Sequence, residues 1–254
     1  MLQIDHLSKK FGGLTAVNDV SVSVEPGTIT AIIGPNGAGK TTFFNLVSGA
    51  IQPSSGSVKL NGIEMAGLRA DQIARYGVAR TFQTTHLFEQ ATVLDNLIVG
   101  HRLRTKSGFW DVVFNTPRLR REEAICREKA EQALDFVGLS HRANSLAADI
   151  TQEEKKRVAF ALALTTDPQI LLLDEPAGGV NPEETIGLAK LIRKLVEHGK
   201  TVCLVEHKMD MIMSLADKIL VLHHGQKLAE GSPTEIRQNE AVIEAYLGVE
   251  HAEN

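Results

Sequence analysis

The chain opens with short alternations of apolar and polar positions. LQID, then VSVSV with a strict period of two, then TITAII running straight into a glycine-rich turn predict short strands separated by turns. GAGKTTFFNLVSG follows with helical spacing and stops at Gly49, and SVKLNG predicts a further strand closing on an Asn-Gly turn. Residues 90 to 166 lose the period of two and become helical. REEAICREKAEQALDFVGL is the clearest case, with Ala, Ile, Ala, Ala, Leu and Val on one face and charges elsewhere. From residue 169 the rhythm changes again: QILLLDEP, a helix from Glu183 to Glu197, TVCLVEH, a second helix, then KILVLHHG. Apolar runs alternating with helices predict parallel strands buried on both faces. The expected fold class is therefore α/β, a core interrupted by a mostly helical insertion.

Composition narrows the classes of function. A chain of 254 residues with 43% hydrophobic content can bury a sizeable core. A formal net charge of −4 offers no overall cationic field for nucleic acid or an anionic membrane, so any such contact is local. Cys126 and Cys203 are far apart with no CxxC spacing, and both are expected to be reduced thiols. The opening MLQIDHLSKKFGG has no apolar signal-peptide region. No window approaches the roughly 18 uninterrupted apolar residues of a membrane span. The chain is expected neither to enter the secretory path nor to cross a membrane. It contains no internal repeat or Gly/Ser linker that would divide it.

Four segments carry candidate chemistry. GPNGAGKTT, Gly34 to Thr42, fits G-x-x-x-x-G-K-S/T and lies after an apolar strand and before a helix. Its glycines let backbone N–H groups turn inward around phosphates. Lys40 can reach the β- and γ-phosphates, and the Thr41 hydroxyl can ligate Mg²⁺. ILLLDEP ends an apolar strand in two acids. Asp174 can hold Mg²⁺ through water, and Glu175 is placed to polarise an attacking water. By themselves two acids after a strand are more often a helix cap; beside a phosphate loop the catalytic reading prevails. Gln83 in RTFQTTHLF and His207 in LVEHK each follow a strand-like run, and carboxyl ends of parallel strands face a shared crevice. Gln83 can ligate Mg²⁺ and sense the γ-phosphate; His207 can hydrogen-bond that phosphate. A GTPase would carry an NKxD base-reading motif, which is absent, and a small-molecule kinase would not need the set Gln83, Asp174, Glu175 and His207.

With these residues in this order, the chain resembles the ATP-binding subunits of ABC transporters. GPNGAGKTT looks like the Walker A motif, Gln83 like the Q-loop, LLLDEP like Walker B, AGGVNP like the D-loop and His207 like the switch histidine. The resemblance implies an ATP site of Phe11, stacking on adenine, with Val17, Asn36, Gly37, Ala38, Gly39, Lys40, Thr41, Thr42, Gln83 and Asp174. It implies Mg²⁺ at Thr41, Gln83 and Asp174, and catalysis by Glu175 and His207. It implies a P-loop NTPase fold: an antiparallel β part at 1–30 and 56–64, and a RecA-like core at 31–89 and 166–232. A helical subdomain at 90–165 and C-terminal helices at 233–254 complete it. TFQTTHLFEQATVLDNLIVG, the insertion through RREEA, and DEPAGGVNPEET are similar to ATPase subunits of branched-chain amino acid importers. Urea and lipopolysaccharide-export ATPases share much of this. Partners implied are a second ABC ATPase subunit, identical or different, and transmembrane permease subunits that hold the chain on the cytoplasmic face of the cell membrane. No nucleic acid is expected, since ABC proteins of that kind carry tandem cassettes or long coiled coils.

One stretch departs from the family. ABC dimers sandwich ATP between the P-loop of one subunit and an LSGGQ signature of the other. Here Ile150, Thr151, Gln152, Glu153 and Glu154 stand in the signature's place. Thr151 with Glu154 forms a capping box, and acids in the first turn suit the helix dipole, so the helix is expected to start normally. Both glycines are gone, and up to two carboxylates are expected to face an anion. Like charges about 4 Å apart cost on the order of a few kcal/mol at a partly shielded interface. A homodimer would then have two poor sites. A heterodimer with a subunit keeping an intact signature would have one competent site, and a weakly or non-hydrolytic nucleotide-gated subunit is the remaining alternative.

A second local feature is HRLRTKSGFWDVVFNTPRLRR, residues 101 to 121, in which Phe109, Trp110, Val112, Val113 and Phe114 are flanked by Arg and Lys. The aromatics are expected to pack within the helical insertion; exposed, they would suit a headgroup layer or a partner's helix.

Overall fold

The structure, a computed structural model, describes residues 1–81, 87–102, 111, 114 and 116–250. The chain forms two compact units, Met1–Arg80 with Pro168–Asn254, and Thr81–Asp167.

The first unit holds two sheets. The four-stranded antiparallel sheet has the order β2-β1-β4-β5, with β1 Leu2–Phe11, β2 Leu14–Val24, β4 Ser55–Leu60 and β5 Ile63–Glu64. β1 is longer than the LQID pattern predicts. Its pairing with β2 shifts register three times between Ile4 and Lys10, and His6 takes φ 51°. Bulges of this kind displace side chains from strict alternation, which hides a strand from a period-two reading.

The six-stranded sheet has the order β10-β9-β3-β8-β7-β6, with β3 Ile29–Ile33, β6 Val78–Thr81, β7 Ile170–Asp174, β8 Thr201–Val205, β9 Lys218–His223 and β10 Gln226–Gly231. β3, β7 and β8 are buried at every position, as strands covered on both faces must be. β10 pairs antiparallel with β9, an edge the apolar pattern does not reveal because QKLAEG is mostly polar. The parallel registers set Ile32 opposite Val205 and Asp174 opposite Val205. The chain therefore leaves three neighbouring strands at one level, which is where an open α/β sheet forms its crevice. Helix α1, Lys40–Val47, buries Phe43, Phe44, Leu46 and Val47 in the core shared with both sheets, and the short α2, Ala70–Arg75, adds Ile73 to it. Cys203 in β8 and Cys126 in the second unit are both buried.

The second unit packs helices α3 Val93–Arg102, α4 Pro117–Phe136 and α5 Gln152–Leu164 on one another. Val93, Leu97, Leu134, Val158 and Phe160 are among its fully buried side chains. Phe114 is 70% exposed, so the expected inward packing does not hold there. Phe109, Trp110, Val112 and Val113 lie outside the described residues. Among the described residues no helix is long and apolar enough to cross a membrane.

Candidate active site

The turn after β3 is shaped by two glycines whose conformations exclude other residues. Gly39 sits at the N-cap of α1 with φ 97°, and a Cβ there would lie 2.6 Å from the Ala16 carbonyl oxygen. Gly34 passes so close to β9 that a Cβ would lie 2.1 Å from the Leu222 carbonyl oxygen. The loop is thus pressed against β2 and the β9–β10 turn, where Gly225 N–H donates to the Ala38 carbonyl at 3.1 Å. Helix α1 starts with no side-chain cap and no acid in its first turn. Its N-terminal dipole and N–H groups are therefore available to an anion. Lys40 Nζ donates to the carbonyls of Gly34 at 2.7 Å and Pro35 at 3.0 Å. Burial holds its ammonium below the ordinary lysine range, and the nearby Glu175 carboxylate opposes that shift.

A cavity of about 550 Å³ opens over this loop. Residues 36 to 42 form its floor, Glu175 one wall, and Leu14 to Ala16 with His224 and Gly225 the other side. These residues fit a polyphosphate: an uncapped helix N-terminus, a half-buried ammonium, and a loop that approaches closely only because side chains are missing. The oxygen donors in the cavity lining, the Thr41 hydroxyl and the Glu175 carboxylate, fit a hard divalent cation. Among the described residues no group of three or more His, Cys, Asp or Glu side chains is placed to hold a metal without other ligands.

The remaining expected residues are placed differently. Phe11 is 48% exposed and not part of the cavity wall; Lys9 Nζ lies 5.1 Å from its ring centroid. Val17 is buried behind the loop, against Gly39. Asp174 is buried and turned to Arg80, whose guanidinium donates to it at 2.7 Å and also to Asn45 Oδ1 at 2.7 Å and Ser48 Oγ at 2.9 Å. Gln83 lies outside the described residues. The His207 side chain is 62% exposed and is not part of the cavity wall.

Glu175 follows β7 in the left-handed region, φ 46°, an uncommon conformation for a side-chain-bearing residue. Its N–H donates to the Val205 carbonyl at 2.9 Å, and Gly178 N–H returns to its carbonyl at 3.0 Å. Beside this turn stands Glu206, 1% exposed, which the sequence reading missed. Its Oε1 accepts from Ala177 N–H at 2.9 Å, and its Oε2 accepts from His207 N–H at 2.8 Å and Lys208 N–H at 3.2 Å. Lys208 Nζ donates to the Val180 carbonyl at 3.1 Å and to Thr185 Oγ1 at 2.9 Å. The only signals were a charge at the end of the apolar run TVCLV for Glu206, and an arginine inside the strand VART for Arg80.

In the second unit, Ile150 is buried and Thr151 is the N-cap of α5. Thr151 Oγ1 accepts from Glu154 N–H at 3.2 Å, and Glu154 Oε2 accepts from Thr151 N–H at 2.8 Å, so the expected capping box is formed. The carboxylates do not project as expected. Glu154 Oε1 accepts from Arg142 Nε at 2.8 Å and Glu153 Oε1 from Arg157 Nε, with side-chain exposures of 12% and 14%. Two arginines outside the motif draw both acids back onto their own unit, while Gln152 is exposed.

Known proteins support one family. The ABC transporter family model matches residues 17–178, and a model for branched-chain amino acid ATP-binding cassette transporters matches residues 226–252. The chain is 45% identical over 249 residues to the high-affinity branched-chain amino acid transport ATP-binding protein BraF of Pseudomonas aeruginosa, covering 98% of each chain. It is 42% identical to the LivG protein of the same description from Escherichia coli, again over 98% of each. Its fold superposes on the ADP conformation of an ATP-binding cassette of an ABC transporter with TM-score 0.86 and 31% identity, covering 98% of both. The architecture that shapes the phosphate loop and the similarity along nearly the whole chain agree: this protein belongs to the ABC transporter family, as one of its ATP-binding ATPase subunits.

Proposed function

We propose that this chain binds and hydrolyses Mg-ATP to power import of branched-chain amino acids or chemically similar solutes. We propose that it does so on the cytoplasmic face of a membrane, beside permease subunits and a second ABC ATPase. The observation that carries the nucleotide part is the cavity over the uncapped α1, where Lys40 and Glu175 meet. The solute and partner parts rest on similarity to BraF and LivG.

In this reading Lys40 exchanges the carbonyls of Gly34 and Pro35 for β- and γ-phosphate oxygens, while the loop N–H groups and the α1 dipole hold the remaining charge. Thr41, Asp174 and Gln83 would hold Mg²⁺, which would supply positive charge against the phosphate oxygens. Glu175 accepts the proton of the attacking water, and His207 donates to the γ-phosphate. Phe11 offers a ring to adenine, with Val17 backing the loop. The domain division over 1–30 with 56–64, 31–89 with 166–232, 90–165 and 233–254 belongs to the same reading.

The α5 N-terminus favours an asymmetric assembly. Its Thr151 N–H is already given to the Glu154 carboxylate, so the helix end that would meet a partner's γ-phosphate carries an internal anion instead. The site built on this chain's own Walker A residues is completed by a partner with an intact signature; the opposite site mainly binds. Steady-state ATPase of the chain alone, and mixed with such a partner, tests this, with Glu175→Gln as the blank. Turnover only in the mixture is expected. Family-typical turnover by the lone chain would overturn the asymmetry.

A further inference from the structure

Glu206 is a buried carboxylate whose hydrogen bonds among the described residues all come from backbone N–H groups, from two separate loops, with His207 Nδ1 the nearest cationic group at 3.9 Å from Oε2. Desolvating a carboxylate is costly unless its charged form is hydrogen-bonded, and here both oxygens are used. A residue that only filled space would not need two acceptor oxygens. Leucine would match the volume, and glutamine would turn an NH₂ toward one set of N–H donors. The loops it joins are the Glu175–Gly178 turn, whose first residue is held at φ 46°, and the start of the segment from His207. A left-handed, non-glycine backbone persists only where its surroundings over-determine it. Here Val205 fixes Glu175 from one side and Glu206 fixes Ala177 from the other. Lys208 carries the same fastening on to Val180 and to Thr185 in the first turns of helix α6, Pro182–Glu197.

We infer that Glu206 is a positioning residue that holds the Glu175 turn and His207 in one frame, with Lys208 extending that frame to the start of α6. This rests on the roles proposed above for Glu175 and His207. Glu206 is buried and outside the cavity lining; it sets where the general base and the γ-phosphate donor stand relative to each other. A movement of the 177–181 turn would reach His207 through this carboxylate and through the Lys208 bond to Val180.

The test uses the chain assembled with its partner ATPase and permease subunits. Glu206→Gln is expected to lower kcat by about tenfold or more while the nucleotide Kd stays within about twofold, because the phosphate loop is untouched. Added to Glu175→Gln it is expected to cost nothing further, as for residues acting through one another. Amide hydrogen exchange at Ala177 and His207 is expected to speed up by about tenfold in Glu206→Gln. Unchanged kcat, or kcat and Kd worsening by the same factor as in general loosening, would overturn the inference. Turnover surviving in Glu175→Gln would instead sink the role given to Glu175, and amide exchange would still decide for or against Glu206. Should Glu206→Gln fail to fold, Lys208→Met removes only the bonds to Val180 and Thr185. A several-fold fall in kcat at constant Kd is then expected, and no fall would overturn the frame.

Discussion

Arg80 and Asp174 form an ion pair at 2.7 Å with side-chain exposures of 9% and 10%. A buried pair adds little net stability, because desolvation offsets attraction, yet removing one member strands the other charge. Arg80→Met is therefore expected to cost about 3–5 kcal/mol in urea unfolding, far more than loss of a surface pair. Since the same guanidinium holds Asn45 of α1 and its C-cap Ser48, the variant should also loosen the helix that follows the phosphate loop. Asp174 was legible as an acid ending an apolar strand. Its occupation by Arg80 was not, because the partner lies 94 residues away and nothing local marks the pairing. Lys40 and Glu175 were legible because their motif is contiguous and its chemistry is local.

At the scale of the element, α5 shows how a helix start sets its own pH dependence. Desolvation pushes the Glu154 carboxyl up, but the Thr151 N–H and Arg142 outweigh it and hold it below its ordinary value of 4.5. A carboxyl depressed on folding stabilises the native state above its unfolded value and loses that contribution as pH falls through the folded one. The start of α5 should therefore fray below about pH 4.5, in the sense read by amide exchange of residues 152–155, and a Glu154→Gln variant should lack this step. Thr151→Ala should cost about 1 kcal/mol at neutral pH. The capping box was readable from TQEE alone, as were the wholly apolar β3, β7 and β8. The long β1 and the polar edge strand β10 were not, because bulges and solvent-facing positions blur the period on which such reading depends.

At the scale of the whole molecule, the prediction concerns which site turns over. Glu153→Gly with Glu154→Gln would free Arg142 and Arg157 and return the α5 N-terminus to an open anion site. In the assembly this double variant is expected to raise ATPase activity, up to about twofold if both sites become competent, measured against the unsubstituted complex. No gain would mean that the acids are neutral toward catalysis once drawn back by their arginines.

The amino-acid order alone determined the features that are local in the chain: the strand, glycine loop and helix around Lys40, the acids closing β7, the start of α5 and the alternation that makes an α/β core. Short-range sterics, hydrogen bonds and periodicity decide these, and they act within a few residues. Tertiary structure decided which charges are buried and against what. It turned Asp174 to Arg80, drew Glu153 and Glu154 back to Arg157 and Arg142, and put the Glu206 carboxylate between two loops. Those outcomes depend on desolvation and on partners brought together only by the fold, and the energy of a charge is set by what surrounds it.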